Sequence, residues 1–326
     1  MNIAEQPSFE GKANRPSSSS LVGPILRNWQ RLYRGTPNFR GKGRILFEWP
    51  SRLIRKSPSD VAITSNDGSI FLHCDLNEYL YRALFIFGLH EVDVDWMCGR
   101  ILRPGDILVD IGACYGYHAL TNARRVGPQG RVIAFEPQPD MFAVLNENVC
   151  HNGLENIQTN NLALSDQTEQ IQLYYFSDLG VGHTSIAHLK HAVSGILKCS
   201  AITLDEYIAI NEIPYVTLVK LDVEGAELNV IKGTRKLLCS SKPPMWILEV
   251  NMTTAEACGY HPQDLLSLLG DYGYKAFKPI WSKASGKVLH MEICPINAIE
   301  HGQNLLCAIP RVHHAALSRL GLKNQS

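Results

Sequence analysis

Between residues 104 and 310, strand-like segments alternate with segments of helical periodicity. Strands are expected at 107–111, 131–136, 157–163, 216–222, 245–250 and 274–280, and residues 107–109 open the first with the continuous apolar run of a strand buried on both faces. Helical spacing falls between them at 117–126, 139–151, 204–210, 225–238 and 262–271, with a β-rich addition over about 170–176 and a last strand near 304–309. Strands and helices in this alternation, joined by right-handed crossovers, predict a doubly wound α/β sheet. Upstream, residues 61–74 alternate around Asn66-Asp67-Gly68, a hairpin signal, and residues 78–89 read as a helix, followed by a further helical piece before Pro104-Gly105.

The first sixty residues differ. Residues 1–20 are polar, with serine from Ser17 to Ser20, and predict disorder. Residues 21–34 predict an amphipathic helix, with Leu21, Ile25, Leu26, Trp29, Leu32 and Tyr33 on one side and Arg27, Arg31 and Arg34 on the other. Pro24 near its start and Gly35 just past its end fit helix boundaries. Such a helix can lie on an anionic membrane surface. It can equally dock on its own domain, the commoner fate of a basic surface helix. The expected layout is therefore an extension over 1–60, a hairpin and helical lead-in over 61–103, a main domain over 104–310, and a tail over 311–326.

Composition adds three constraints. With 326 residues, 45% of them hydrophobic, the chain can bury one sizeable core plus extensions. The net charge of zero conceals an asymmetry, because residues 1–60 carry eleven Lys or Arg against four Asp or Glu. The main domain is thus net acidic, and nucleic acid is not an expected partner. The nine cysteines are scattered, without a C-x-x-C pair, as reduced thiols in a cytoplasmic protein would be. No apolar run is long enough to span a membrane and Met1 opens no signal-peptide pattern, so any membrane address would be peripheral, at the inner face.

Candidate chemistry concentrates where strands end. Residues 107–111 run into a loop bearing Asp110, Gly112 and Gly116, and the next strand ends in Glu136. Ligands of open α/β sheets bind at the carboxyl ends of strands, where an acid such as Glu136 can grip ribose hydroxyls. The loop reads D-x-G-x-x-x-G rather than the G-x-G-x-x-G that holds a pyrophosphate, and its acid repels phosphate. It suits a cofactor with a cationic amino-acid end, as S-adenosylmethionine has. A second constellation follows residues 216–222, where Lys220, Asp222 and Glu224 alternate before Gly225, and a third strand ends in Glu249 and Asn251.

Taken together, VDIGACYGY, RVIAFEPQPDMFAVLNENVCHN, LALSD, TLDEYI, LVKLDVEGAE with Lys232-Gly233, and ILEV resemble the FkbM-type family of S-adenosylmethionine-dependent methyltransferases. Each motif alone is loose, whereas their order and spacing from about Pro104 to Pro279 are distinctive. The resemblance implies a Rossmann-like class I methyltransferase sheet of seven strands, the last antiparallel, and O-methylation of hydroxyls on glycans, glycolipids or polyketide-like small molecules. It implies that Asp110, Gly112, Ala113, Gly116 and Tyr117 shape the methionine pocket, that Glu136 and the following Pro137 hold the ribose, and that Ser165 and Asp166 lie beside the adenine. Cys114 departs from the family's usual asparagine and cannot supply an amide's hydrogen bonds.

Methyl transfer needs the acceptor held in line and its proton removed. Asp222 is the first candidate for that role and Glu249 the second. His183, in an insertion over 177–199 expected to face the acceptor, is a third, weighed against a solvated loop position. Asp222 could instead pair with Lys220 or cap the following helix. A divalent ion on Asp222, Glu249 and Asn251 is chemically conceivable, but the metal-free site is preferred. The competing functions are N-methylation and a noncatalytic scaffold that keeps the fold.

Overall fold

The computed structural model describes residues 28–33, 36, 61–64, 70–74, 79–87, 90–176, 184–189, 191–282 and 287–322. The hairpin β1 (Val61–Thr64) and β2 (Phe71–Cys74) and the helices α1 (Tyr79–Phe87) and α2 (Val92–Ile101) precede the sheet. The first βα units are β3 (Ile107–Ile111), α3 (Tyr117–Val126), β4 (Arg131–Phe135), α4 (Pro139–Asn152) and β5 (Ile157–Asn160). The segment between β5 and the second half of the sheet supplies β6 (Ala163–Leu164), β7 (Glu169–Tyr175), β8 (Thr184–Ser185) and β9 (Gly195–Ile202). The second half contains β10 (Leu218–Leu221), β11 (Met245–Val250), β12 (Lys275–Trp281), β13 (Val288–Ile293) and β14 (Gln303–Ala308).

The large sheet has the order β13-β12-β14-β11-β10-β3-β4-β5, and β6-β9-β7-β8 form a second sheet of four. Pairs from β11 to β5 are parallel, whereas β14 runs antiparallel to both β11 and β12. The doubly wound α/β expectation holds, including the antiparallel last strand, but the count of seven does not. An eighth strand, β13, pairs antiparallel with β12 at the edge. Its apolar residues split between buried Val288 and Met291 and exposed Leu289 and Ile293, so it lacks the continuous run that marks its neighbours.

Alternation along the parallel strands packs both faces. Val109, Ile111, Val219, Leu221 and Leu248 belong to one core, and Leu108, Leu218 and Ile247 to the other, with Ala119 and Ala123 of α3 and Val94 and Met97 of α2. Asp110 and Lys220 fall on this second face, directly paired across β3 and β10. The chain leaves β3 toward β4 and β5, then returns to add β10 on the other side. A crevice opens at that reversal.

Of the N-terminal stretch, residues 28–33 are helical. Trp29 and Tyr33 pack against the core formed by Ile70, Leu84 and Phe85, and Gln30 Nε2 donates to the Phe85 carbonyl at 2.7 Å. This part of the expected helix is docked, with Arg31 exposed; Arg27 and Arg34 lie outside the described residues. At the other end, the helix His314–Arg319 seats Leu317, and after it Leu320, in the second core. Among the described residues no helix is long and apolar enough to cross a membrane. Cys98, Cys114, Cys150, Cys199, Cys239, Cys258, Cys294 and Cys307 are free thiols.

Candidate active site

The β3–α3 loop is shaped by three residues with positive φ, namely Gly112 at 80°, Cys114 at 50° and Gly116 at 93°. Gly112 has a further reason to be glycine. A Cβ there would stand 1.8 Å from the Asp222 carbonyl oxygen, so the loops after β3 and β10 touch backbone to backbone. Gly112 thus makes room for the neighbouring loop rather than for a ligand. Its N–H and that of Ala113 both donate to Phe135 O, which ties the loop to the end of β4. Cys114 adopts the left-handed conformation without glycine's freedom, and its N–H donates to Glu136 Oε2 at 2.9 Å.

Glu136 also accepts from Gln138 N on Oε1 at 2.9 Å, so two backbone donors fix the carboxylate. Burial raises its pKa to about 7 despite them. Asp110 is completely buried, and among the described residues neither oxygen has a hydrogen-bond partner. Burial raises its pKa, opposed by Lys220, whose Nζ stands 4.0 Å from Oδ1. Lys220 Nζ donates to Asp222 Oδ2 at 3.0 Å. Burial of the lysine disfavours its charge, but Asp222, Asp110 and Glu91 outweigh that and raise its pKa.

The loop after β10 is held by a side chain the sequence left without a role. Glu227 accepts from Val223 N, Gly225 N and the Tyr260 hydroxyl. Glu224 takes a left-handed turn with φ of 53° and accepts from Asn251 Nδ2 at 3.0 Å. Asn251 Oδ1 in turn caps the helix Met252–Ala257 through Thr253 N and Thr254 N, which makes it unsuitable as a metal ligand. The carboxylates that do converge are Asp222, Glu224 and Glu249, with oxygens within 4.8 Å of one another. The charge of Asp222, then burial, then a hydrogen bond with Asp222 push Glu249 up to about 10. At neutral pH Glu249 is therefore the protonated member of the pair.

A second polar group meets this one. His118 Nε2 donates to Glu91 Oε2 at 2.7 Å, and His90 Nε2 lies 3.8 Å from the same oxygen. Burial lowers the His90 pKa to about 4, leaving the ring neutral. Burial works against the Glu91 charge, but the His118 hydrogen bond and nearby Lys220 hold its carboxyl well below the usual range. Glu91 has φ of 44°, a left-handed conformation that costs a non-glycine residue about 1–3 kcal/mol and tends to occur where function demands it.

These groups surround one cavity of about 290 Å³ at the carboxyl ends of β3, β4 and β10. Of the residues expected from the sequence, Gly112, Ala113, Tyr117, Glu136, Pro137, Asp222 and Glu249 line it. Asp110 and Gly116 stand behind its wall. Ser165 and Asp166 do not line it either, because the Ser165 backbone packs onto Gly233, where a Cβ would stand 2.2 Å from Ser165 O. Leu162, Ala163 and Leu164 line the cavity instead, with Ile171 and Leu173 of β7 and Thr184 and Ile186 of the insertion. Ser185 Oγ donates to Glu224 O at 2.7 Å, joining the insertion to the β10 loop. His183 lies outside the described residues. Sequence reasoning missed the pairing of Glu91 with His118, which no local spacing could signal, since 27 residues separate them.

Residues 110–276 match the family model described as Methyltransferase FkbM domain. Hexuronic acid methyltransferase AglP of Haloferax volcanii is 30% identical over 182 residues, covering 56% of this chain and 68% of that protein. The 31-O-demethyl-FK506 methyltransferase FkbM of Streptomyces tacrolimicus is 28% identical over 210 residues, covering 54% and 76% respectively. A solved structure of methyltransferase FkbM from Methylobacillus flagellatus aligns at 14% identity with a TM-score of 0.39, over 89% of this chain and 71% of that one.

Proposed function

The chain belongs to the FkbM family of methyltransferases, which use S-adenosylmethionine, and on that premise we propose that it O-methylates a hydroxyl of a glycan, glycolipid or polyketide-like small molecule. The observation that carries the reading is one cavity with Glu136 at the tip of β4 and the Asp222–Glu249 pair at the tips of β10 and β11. Two relatives support the acceptor class by their names, one for a hexuronic acid and the other for the 31-O-demethyl form of FK506.

The cofactor fits this wall chemically. Glu136 keeps a spare lone pair on each oxygen for ribose hydroxyls, and Leu162, Ala163 and Leu164 offer an apolar surface to the adenine. Ser165 and Asp166 would act on that side only through the backbone they share with Leu164. When bound, S-adenosylmethionine supplies the electrophilic methyl group. The protein's part is to orient the acceptor and move its proton. Asp222 receives that proton, Lys220 fixes one of its oxygens, and protonated Glu249 fixes the pair from the other strand. His183 would contribute from the insertion, as a contact to the acceptor. A peripheral membrane role would rest on residues 21–34, in which Trp29 and Tyr33 are used for packing while Leu32 stays 57% exposed.

Equilibrium dialysis should detect S-adenosylmethionine binding and no NAD binding. Incubation with labelled cofactor and a panel of neutral and acidic glycosides should then place label in an alkali-stable ether. Label confined to amines would turn the reading to N-methylation, and binding of NAD without S-adenosylmethionine would overturn it altogether.

A further inference from the structure

The cofactor's methionine portion ends in a cationic ammonium, and the acid that the sequence pattern offers for it is unavailable. Asp110 is wholly buried behind the cavity wall, facing Lys220. Five carboxyl groups do line the cavity. Glu136 belongs to the β4 end and receives a backbone N–H on each oxygen. Asp222 holds Lys220 and is hydrogen-bonded with Glu249. Glu224 receives Asn251 and stands beside that pair.

Glu91 is the remaining one. Both nearby histidines approach its Oε2, and among the described residues Oε1 has no hydrogen-bond partner. Its electrostatic neighbours include Lys220 and Glu249, which places it toward β10 and β11, across β3 from the ribose end at Glu136. A molecule held by its ribose at β4 and laid over the β3 loop would point its other end here. Two features of the chain hold the carboxylate in place. The left-handed backbone of Glu91 lies at the entry to α2, and His118, in the first turn of α3, grips Oε2 from the opposite wall.

We infer that Glu91 binds the α-ammonium of the cofactor's methionine portion through Oε1, with His118 as the positioning residue that fixes the carboxylate. The inference rests on the cofactor assignment and names the residue that recognises the cofactor's charged end. The contact is a charge-assisted hydrogen bond to a carboxylate that is only 17% exposed. It gives the loop motif a different cation acceptor from the acid within it.

Calorimetric titration of the full chain with S-adenosylhomocysteine and with 5′-methylthioadenosine tests this, because the second ligand keeps the adenosine and sulfur but lacks the amino-acid end. Glu91→Gln should weaken S-adenosylhomocysteine by about tenfold or more and change methylthioadenosine by less than about twofold. Glu91→Gly removes the carboxylate while suiting the left-handed backbone, so it should show the same split even if the glutamine variant folds poorly. His118→Phe should show a smaller split in the same direction. Equal weakening of both ligands, or no change in either, would overturn the assignment. Zinc binding by the native chain that Glu91→Gln abolishes, with ligand selectivity unchanged, would also overturn it and make His90, Glu91 and His118 a metal site. Failure of the native chain to bind either nucleoside would instead strike the cofactor assignment.

Discussion

Asp222 and Glu249 lie close enough to hydrogen-bond, and Lys220 donates to Asp222 from the other side. Replacing Asp222 by asparagine retains its size but removes the proton acceptor, so turnover should fall by about 10²-fold or more while S-adenosylmethionine affinity in dialysis changes little. If affinity falls instead, Asp222 serves the cofactor. Glu249 carries a prediction in pH. Its carboxyl titrates near 10 in the folded chain against an ordinary value near 4.5, so the folded state keeps a proton that the unfolded state loses. Its contribution to stability is therefore largest in acid and declines as pH rises from about 4.5 toward 10. Glu249→Gln cannot titrate, and in thermal melts its Tm should gain on that of the native chain by a few degrees across this window. A constant difference would mean that Glu249 is ionised throughout. At this scale Glu136, Asp222 and Glu249 were legible because each ends a recognisable strand. Asp110 was misplaced because a strand-end acid looks the same whether its side chain faces the ligand or, as here, a lysine on the next strand.

The contact between the β3 and β10 loops makes Gly112 a packing point between the two halves of the sheet. Gly112→Ala should destabilise the fold by about 3 kcal/mol or more in urea titration, since the methyl meets a backbone carbonyl that cannot swing aside and its φ of 80° is itself unfavourable to alanine. Stability within about 1 kcal/mol of native would show that the two loops can separate freely. The core elements were readable in advance: β3, β4, β10 and β11 are mostly apolar strands whose few charged residues, Asp110, Arg131, Lys220 and Glu249, do not break the pattern. The elements that escaped are those whose burial is partial. Beyond β13, these include β9, which alternates between exposed and half-buried positions, and the helix Met252–Ala257, defined by the Asn251 cap rather than by a stripe.

Across the whole molecule, the N-terminal stretch is joined to the body through Trp29, Gln30 and Tyr33. Deleting residues 1–35 should uncover the surface around Phe85 and lower stability by about 2 kcal/mol or more, read as a drop in Tm. An unchanged Tm would show that these contacts carry no weight, and salt-sensitive sedimentation of the native chain with anionic vesicles would give the stretch an address of its own. No described strand of the four-stranded sheet is hydrogen-bonded into the sheet of eight. Residues can thus be inserted into or removed from the small sheet without shifting the register of β3, β4 and β10. Mutational drift can therefore rework the wall that Ile171, Leu173, Thr184 and Ile186 give the cavity, while the register of the strands that carry Glu136, Asp222 and Glu249 is inherited unchanged.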